Sequence, residues 1–295
     1  MELRVLNYFL AIAREENITR AAQMLHITQP TLSRQIMQLE QELGVKLFNR
    51  SNHNIVLTED GMLLKRRAQE LISLADKTRQ ELIHNENNIS GEIMIGSGEF
   101  RSTKILAKIM ADFRERHPLV KYNLYSGNAD NIKDYIERGL LDIGVMGEPI
   151  DIRKYDFAFM PVKEKWGVLV QKDSLLAKKD KIQVQDLFNI PIVTSSRGFQ
   201  SELAGWFGEH INKLEIVATG NLLYNEAMLV NGSIGAVICI KLDCSYENLC
   251  FRPLYPAVNS RTAIVFKKDQ VFSPATSAFI NYTLKCLKDI TDDKL

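Results

Sequence analysis

Residues 28–44 read TQPTLSRQIMQLEQELG. Within them Leu32, Ile36, Leu39 and Leu43 recur at i, i+4, i+7 and i+11, which at about 100° per residue makes one stripe of a helix. Arg34 falls on the opposite side, with Pro30, Ser33, Met37 and Gln38 on the outer half and Gln29 and Gln35 on the flanks. Thr28 is placed to cap this helix, and Pro30 sits in its first turn, where a missing N–H costs little. Gly44 is placed to end it. A core helix has no use for a face of Gln, Ser and Arg. A helix lying in the major groove of DNA does, because Gln can pair with adenine, Arg with guanine, and Ser or Thr with phosphate or base.

The flanking sequence supplies what such a helix needs. Leu3, Leu6, Phe9, Leu10 and Ile12 or Ala13 are spaced as a helix. NITRAAQMLHI (17–27) predicts a second one, with Thr19 as its N-cap and Ala21, Ala22 and Leu25 facing inward. HIT (26–28) then turns the chain. Residues 18–43 thus have the small residue, short turn and polar second helix of a helix-turn-helix, whose second helix meets base edges with its N-terminal part. A plain three-helix packing unit would share the spacing. VKLFNRSNHNIVLTEDG (45–61) reads as strand, polar turn and strand, a wing whose Arg50 could reach a phosphate or the minor groove. Residues 1–60 hold six Lys/Arg against seven Asp/Glu, so affinity for DNA has to rest on a few placed contacts, helix N-termini and a second copy.

From Thr58 or Glu59 a further helix is expected to about Asn85. Leu64, Ala68, Leu71, Ala75, Thr78 and Leu82 alternate in steps of four and three along it, a heptad seam with Lys65, Arg66 and Arg67 opposite. Such a seam calls for a partner, either the same helix of a second subunit or the chain's own C-terminal region. NENNISG (85–91) reads as a hinge.

Beyond Glu92 the pattern changes. EIMIG, VKYNLY, DIGVMG, IPIVTSS, LEIVATG, GAVICI and TAIVFK are strand-like, and helical stretches at 102–116, 129–139, 199–212, 223–231 and 273–288 separate many of them. The alternation predicts an α/β fold with mainly parallel sheets, in two similar subdomains joined by crossover strands. In such folds ligands bind at the carboxyl ends of strands, beside helix N-termini. The segments expected there are SGEFRST (97–103), SGNA (126–129), GEP (147–149), TSSRGF (194–199) and GNLL (220–223).

The 295 residues suit two to three compact units, and a net charge of +1 argues against a protein that coats nucleic acid through bulk charge. No apolar run approaches the ~18 residues of a membrane span, and the N-terminal stretch lacks a cleavage site of the A-x-A kind, so a cytoplasmic location is expected. Cys239, Cys244, Cys250 and Cys286 form no C-x-x-C pair and have no His cluster beside them, so no metal and no other cofactor is expected. They read as reduced thiols, with a redox role for Cys244 and Cys250 left open. Phosphate-binding glycine loops, G-x-S-x-G and H-E-x-x-H are all missing, which argues against an enzyme. A non-catalytic binding protein of transport type is the alternative for residues 92–295 taken alone.

The run NYFLAIAREENITRAAQMLHITQPTLSRQIMQLEQELGVKLFNR, with LTEDG following, resembles the winged helix-turn-helix of the LysR-type transcriptional regulators over residues 2–61. The resemblance implies a winged helix-turn-helix over 1–58 and a dimerising linker helix over 59–88. It then implies a periplasmic-binding-protein-like effector region, with one α/β subdomain from 91–161 and 266–295 and another from 162–265. It places DNA contacts on Thr28, Gln29, Pro30, Thr31, Ser33, Arg34 and Arg50. Effector contacts are expected at Glu99, Phe100, Arg101, Ser102, Thr103, Gly127, Asn128, Gly147, Thr194, Ser195, Arg197 and Asn221. Arg101 and Arg197 could hold an anion, while Glu99 could pair with Arg101 or take the amine of an amino-acid-like ligand. The effector is accordingly expected to be a small anionic or zwitterionic metabolite. The partners implied are double-stranded DNA with a dyad operator, a homodimer through the linker helix, a homotetramer and, as a further candidate, RNA polymerase.

One departure lies in the wing, where many family members carry a second basic residue and this chain has His53 within SNHN. A free histidine is mostly uncharged at neutral pH and charged near pH 6. Operator affinity is therefore expected to weaken from pH 6 to pH 8 in the wild type and to be flatter in His53→Ala. Superimposable pH profiles would refute a role for His53.

Overall fold

The stripe at Leu32, Ile36 and Leu39 is the centre of the first unit, Met1–Ile83, and all three side chains are buried, while Leu43 at the helix end is exposed. The computed structural model describes residues 1–50, 55–82, 89–195 and 202–292. Three helices come first, α1 (Leu3–Glu15), α2 (Ile18–Met24) and α3 (Gln29–Leu43). Asn17, not Thr19, caps α2, its side chain accepting from the Arg20 N–H at 3.0 Å. The chain leaves α1 through Glu16 in the left-handed region, so Asn17 already holds the extended conformation of a cap. His26, also left-handed, makes the turn into α3, and Thr28 and Gly44 cap α3 at its two ends as expected.

A short antiparallel hairpin follows, β1 (Phe48–Arg50) and β2 (Ile55–Leu57), with Phe48 opposite Leu57. The buried Glu40 of α3 fixes this wing, its carboxylate accepting from the N–H groups of Leu47 at 2.8 Å and Phe48 at 3.3 Å. The Phe9 and Phe48 rings meet at 5.2 Å. The long helix α4 (Glu59–Leu82) starts where Thr58 Oγ1 donates to the Lys46 carbonyl at 2.6 Å and accepts from the Gly61 N–H at 2.9 Å. The first part of the heptad seam is used at home. Ala68 is buried, and Leu64 and Ile72 pack on the same core as Leu32 and Phe48. Met62, Leu63, Leu71 and Leu74 are left exposed.

The second unit, His84–Leu295, has the order β3 (Gly91–Ser97), α5 (Thr103–Arg116), β4 (Val120–Ser126), α6 (Ala129–Glu137), β5 (Ile143–Gly147) and β6 (Tyr155–Gln171). It continues with β7 (Pro191–Ser195), α7 (Glu202–Phe207), β8 (Glu215–Gly220), α8 (Leu223–Asn231), β9 (Ala236–Ile240), β10 (Leu249–Pro253), β11 (Asn259–Lys267) and α9 (Pro274–Asp292). The strands run β4-β3-β5-β11-β6-β9-β7-β8, with β10 on β6. The trios β4-β3-β5 and β8-β7-β9 are parallel, and among the described residues of this unit every antiparallel pair involves β6 or β11. β6 pairs with β11 as far as Lys165, then with β9 from Trp166, and so carries the chain from one lobe to the other.

Helices cover both faces of each lobe. In the first lobe Ile93, Ile95 and Val145 meet Leu106, Ile109 and Phe113 of α5 and Phe279 of α9, while Ile132 and Ile136 of α6 pack on the far side. In the second, Ile192 and Ile238 meet Leu203 and Phe207, while Val193 and Val237 meet Leu223, Ala227 and Val230 of α8. The helix expected over 199–212 is shorter than that. α7 gives way to a tight helical turn over Gly208–Lys213, because Gly208 leaves the right-handed region at φ +53°.

A Cβ at Gly61 would stand 2.1 Å from the Leu47 carbonyl oxygen. Gly61→Ala must therefore push α4 off the wing, and the cost expected of such overpacking is about 1–3 kcal/mol. A urea denaturation midpoint lowered at unchanged slope checks it, and an unchanged midpoint would mean the wing is free to move.

Candidate DNA interface and effector cavity

The first turn of α3 is an outward polar surface. Thr28, Gln29, Pro30, Thr31 and Arg34 are exposed and Ser33 is half-buried. The Thr28 hydroxyl accepts from the Thr31 N–H at 3.4 Å and lies 2.8 Å from the Thr31 hydroxyl, so both side chains are held at the helix start. Arg20 donates to the Glu15 carbonyl at 2.7 Å and Arg14 pairs with Glu15 at 3.3 Å. Arg34, by contrast, has no hydrogen bond or ion pair among the described residues, so its donor fork is unspent. The Arg50 side chain and His53 lie outside the described residues.

In the second unit the strand ends expected to carry a ligand do converge. β3, β4 and β5 end at Ser97, Ser126 and Gly147, and β7, β8 and β9 at Ser195, Gly220 and Ile240. The cavity beside these ends measures about 200 Å³. Seven of the expected residues line it, namely Glu99, Phe100, Gly127, Asn128, Gly147, Ser195 and Asn221. Asn128 is engaged as well, its side-chain oxygen accepting from the N–H groups of Asp130 at 3.0 Å and Asn131 at 2.9 Å to cap α6.

Four expected residues do not line it. Ser102 is 0% exposed and its hydroxyl accepts from the Thr262 hydroxyl at 2.9 Å. Ser102 makes no side-chain cap on α5. Glu164 of β6 takes that role instead, accepting from the N–H groups of Arg101 at 3.2 Å and Ser102 at 3.1 Å. Arg101 pairs with Asp243 of the other lobe at 2.9 Å and, with Thr103, faces a wider adjoining hollow. Thr194 is buried, and its hydroxyl has no partner among the described residues. Arg197 lies outside the described residues.

Sequence reading placed Glu148 in the GEP segment without singling it out, and missed Trp166, Glu226, Cys239 and Ser260; all five line the cavity. Trp166 sits on the lobe-crossing strand and donates from its indole N–H to the Ser260 hydroxyl at 3.2 Å. Glu148 is matched by Arg261 through two contacts of 2.9 and 2.6 Å, which hold its carboxyl below the usual range. A signal existed for Glu226, because it shares the buried face of α8 with Leu223, Ala227 and Val230 at helical spacing. A lone carboxyl on an apolar face is a mark of function or of a satisfied partner.

Glu99 reaches across from the loop after β3 to accept the Leu223 N–H at the start of α8. Glu226 stands nearby, and its carboxyl is pushed up to about 7, first by burial and then by the Glu99 charge. A Cβ at Gly220 would lie 2.6 Å from its carboxyl oxygen, so a side chain there would have to displace it. Burial and the Glu226 charge likewise raise the Cys239 thiol, which stays neutral. Between the ordinary carboxyl range and pH 7 the unfolded chain has lost the Glu226 proton while the folded chain keeps it, so stability falls as pH rises through this window. Glu226→Gln removes the penalty. The variant is expected to match the wild type near pH 4.5 and to exceed it by roughly 1–3 kcal/mol at pH 8. Melting curves at both pH values test this, and a gap that does not widen would contradict it.

Residues 3–62 match the bacterial regulatory helix-turn-helix protein, lysR family, and residues 86–287 match the LysR substrate binding domain. The Hca operon transcriptional activator HcaR of Escherichia coli (strain K12) is 28% identical over 99% of this chain and 100% of its own. An HTH-type transcriptional regulator of Bacillus subtilis (strain 168), YwbI, is 30% identical over 99% of both chains. Full-length CbnR, in a crystal structure with its target DNA, shares the fold with a TM-score of 0.74 at 20% identity, over 97% of this chain and 99% of that one. The chain belongs to the LysR family, and is a DNA-binding transcriptional regulator, not an enzyme, whose helix-turn-helix is joined to an effector-binding domain.

Proposed function

We propose that this regulator reads a dyad operator through the first turn of α3 and answers to a small metabolite held in the cavity between the two lobes of its second unit. The observation that carries the DNA half is Arg34, exposed and unengaged among the described residues on a helix whose opposite face, Leu32 and Ile36, is 0% exposed. Gln29, Thr31 and Ser33 stand beside it to meet bases, and Thr28, Pro30 and the wing residues Arg50 and His53 complete the contact set with the phosphates. Leu63, Leu71 and Leu74 fall within about 80° of one another on α4 and are exposed, which supports a homodimer through this helix. Two such dimers make the homotetramer, and two recognition helices address half-sites one helical turn or a multiple apart. RNA polymerase is the further partner of an activator. No described helix is long and apolar enough to cross a membrane, and the protein works in the cytoplasm with its DNA. The sequence reading puts the effector among the small anionic or zwitterionic metabolites.

Footprinting on the DNA upstream of the protein's own gene tests both halves. A protected dyad whose extent shifts with a metabolite pool is expected. Arg34→Ala should weaken it by about 1–3 kcal/mol, about 5- to 150-fold, and relax preference at one base pair of each half-site. A loss that is uniform across sequences would make Arg34 a phosphate contact and overturn its base-reading role.

A further inference from the structure

In a fold of this kind the first place to look for an anion is a helix N-terminus at the cleft, where unspent N–H groups face the ligand. Here each described one is already filled by the protein. Glu164 takes the N–H groups of Arg101 and Ser102 at the start of α5. Asn128 takes those of Asp130 and Asn131 at α6, and Glu99 takes that of Leu223 at α8. The described residues that line the cavity include no Lys, Arg or His. An incoming carboxylate would find these donors engaged and the charge of Glu99 facing it.

What the cavity offers is the opposite. Glu226 is 4% exposed, lines the cavity, and has no hydrogen bond or ion pair among the described residues. Glu99 is beside it, and Glu148, the other lining carboxylate, is already matched by Arg261. The rest of the wall includes the rings of Phe100 and Trp166 and the apolar side chains of Val145, Leu223 and Ile238. A buried carboxyl without a partner calls for a donor or a cation, and aromatic faces attract a cation further.

Resting on the reading of this cavity as the effector site, we infer that the effector carries a protonated amine, bound by Glu226 with help from Glu99, on a small apolar body lying against Trp166 and Phe100. The described wall offers a simple anion no counter-charge. Within the expected classes this keeps the zwitterions, whose carboxylate must then point away from Glu99, and it admits plain amines. The titratable groups facing Glu226 are Glu99 from the loop after β3 and Cys239 from β9, with Cys244 next to Cys239. The thiol of Cys239 is neutral, so the pH-dependent part of the charge an amine meets is set by the proton on Glu226. That carboxyl is half-ionised at about pH 7. Amine binding therefore expels this proton and tightens with rising pH.

The test uses the full-length protein and three probes of one size, phenethylamine, phenylacetate and phenethyl alcohol, in calorimetric titrations at pH 6 and pH 8. Phenethylamine is expected to bind best and to gain about tenfold in affinity from pH 6 to pH 8. Glu226→Gln should abolish that gain and weaken the amine by tenfold or more, and Glu99→Gln should weaken it less. A melting temperature of the unliganded Glu226→Gln protein no lower than wild type shows that the variant folds. Retained amine affinity in folded Glu226→Gln would overturn the assignment. Tighter binding of phenylacetate, lost in the cavity-filling Gly147→Phe, would overturn the amine while leaving the effector cavity in place. Binding of none of the three would overturn the amine too, and a metabolite-dependent footprint that survives Gly147→Phe would then remove the cavity itself as the effector site.

Discussion

A fully buried carboxylate organises the ligand-binding half of this protein. Glu164 is 0% exposed, and it is held by the first N–H groups at the start of α5. An uncompensated charge at such depth would cost several kcal/mol, so the start of α5 cannot drift from β6 without exposing that cost. The Thr262–Ser102 hydroxyl contact ties β11 to the same point. Three elements are thereby locked together just where β6 changes partner from β11 to β9. The loop from Gly98 to Arg101 hangs from this lock, and with it the positions of Glu99 and Phe100 in the cavity wall. The wing of the first unit repeats the device on a smaller scale, with Glu40 of α3 holding the N–H groups of Leu47 and Phe48.

Much of the architecture was readable because it rests on periodicity. The stripe of Leu32, Ile36 and Leu39 is the buried face of α3, and the parallel strands fall where short apolar runs occur. The strand that joins the lobes was not readable. β6 spans 17 residues of YDFAFMPVKEKWGVLVQ, with a proline and a KEK run inside, and its burial alternates poorly because its surroundings change along its length. Periodicity reports one environment per element, and a strand shared between two lobes has two. The heptad seam of α4 is divided for a related reason. Leu64 and Ala68 are spent on the unit's own core, while Leu71 of the same seam stays exposed with Leu63 and Leu74 beside it.

The candidate cavity was half legible. Topology put the right loops together, since strand ends at a cleft are a property of the fold. The roles of individual side chains did not follow from position. Arg101 reads as an anion anchor until Asp243 of the other lobe is seen to hold it, and Ser102 reads as an open hydroxyl until Thr262 is seen to occupy it. Partners distant in sequence decide which polar groups are free, and such pairs leave no local trace. Glu226 is the converse case, with a legible pattern on α8 whose meaning depends on Glu99, 127 residues earlier in the chain.

The same contacts bear on how a ligand could matter to the lobes. Glu99 on the Leu223 N–H and Arg101 on Asp243 bridge them directly. The second bridge is partly exposed, and pairs of that kind contribute little, about 0–1 kcal/mol. The first sits in the cavity wall at a helix N-terminus, where a carboxylate is favoured by the helix dipole. Its weakness is Glu226, whose charge, once formed, repels that of Glu99. A ligand shifts a two-state equilibrium only through contacts that differ between the states. A cation placed on Glu226 qualifies on the proposal made above, because it offsets a charge that opposes the Glu99 bridge and so favours the lobes as they stand here. A ligand that left Glu226 alone would have to work against that repulsion or around it.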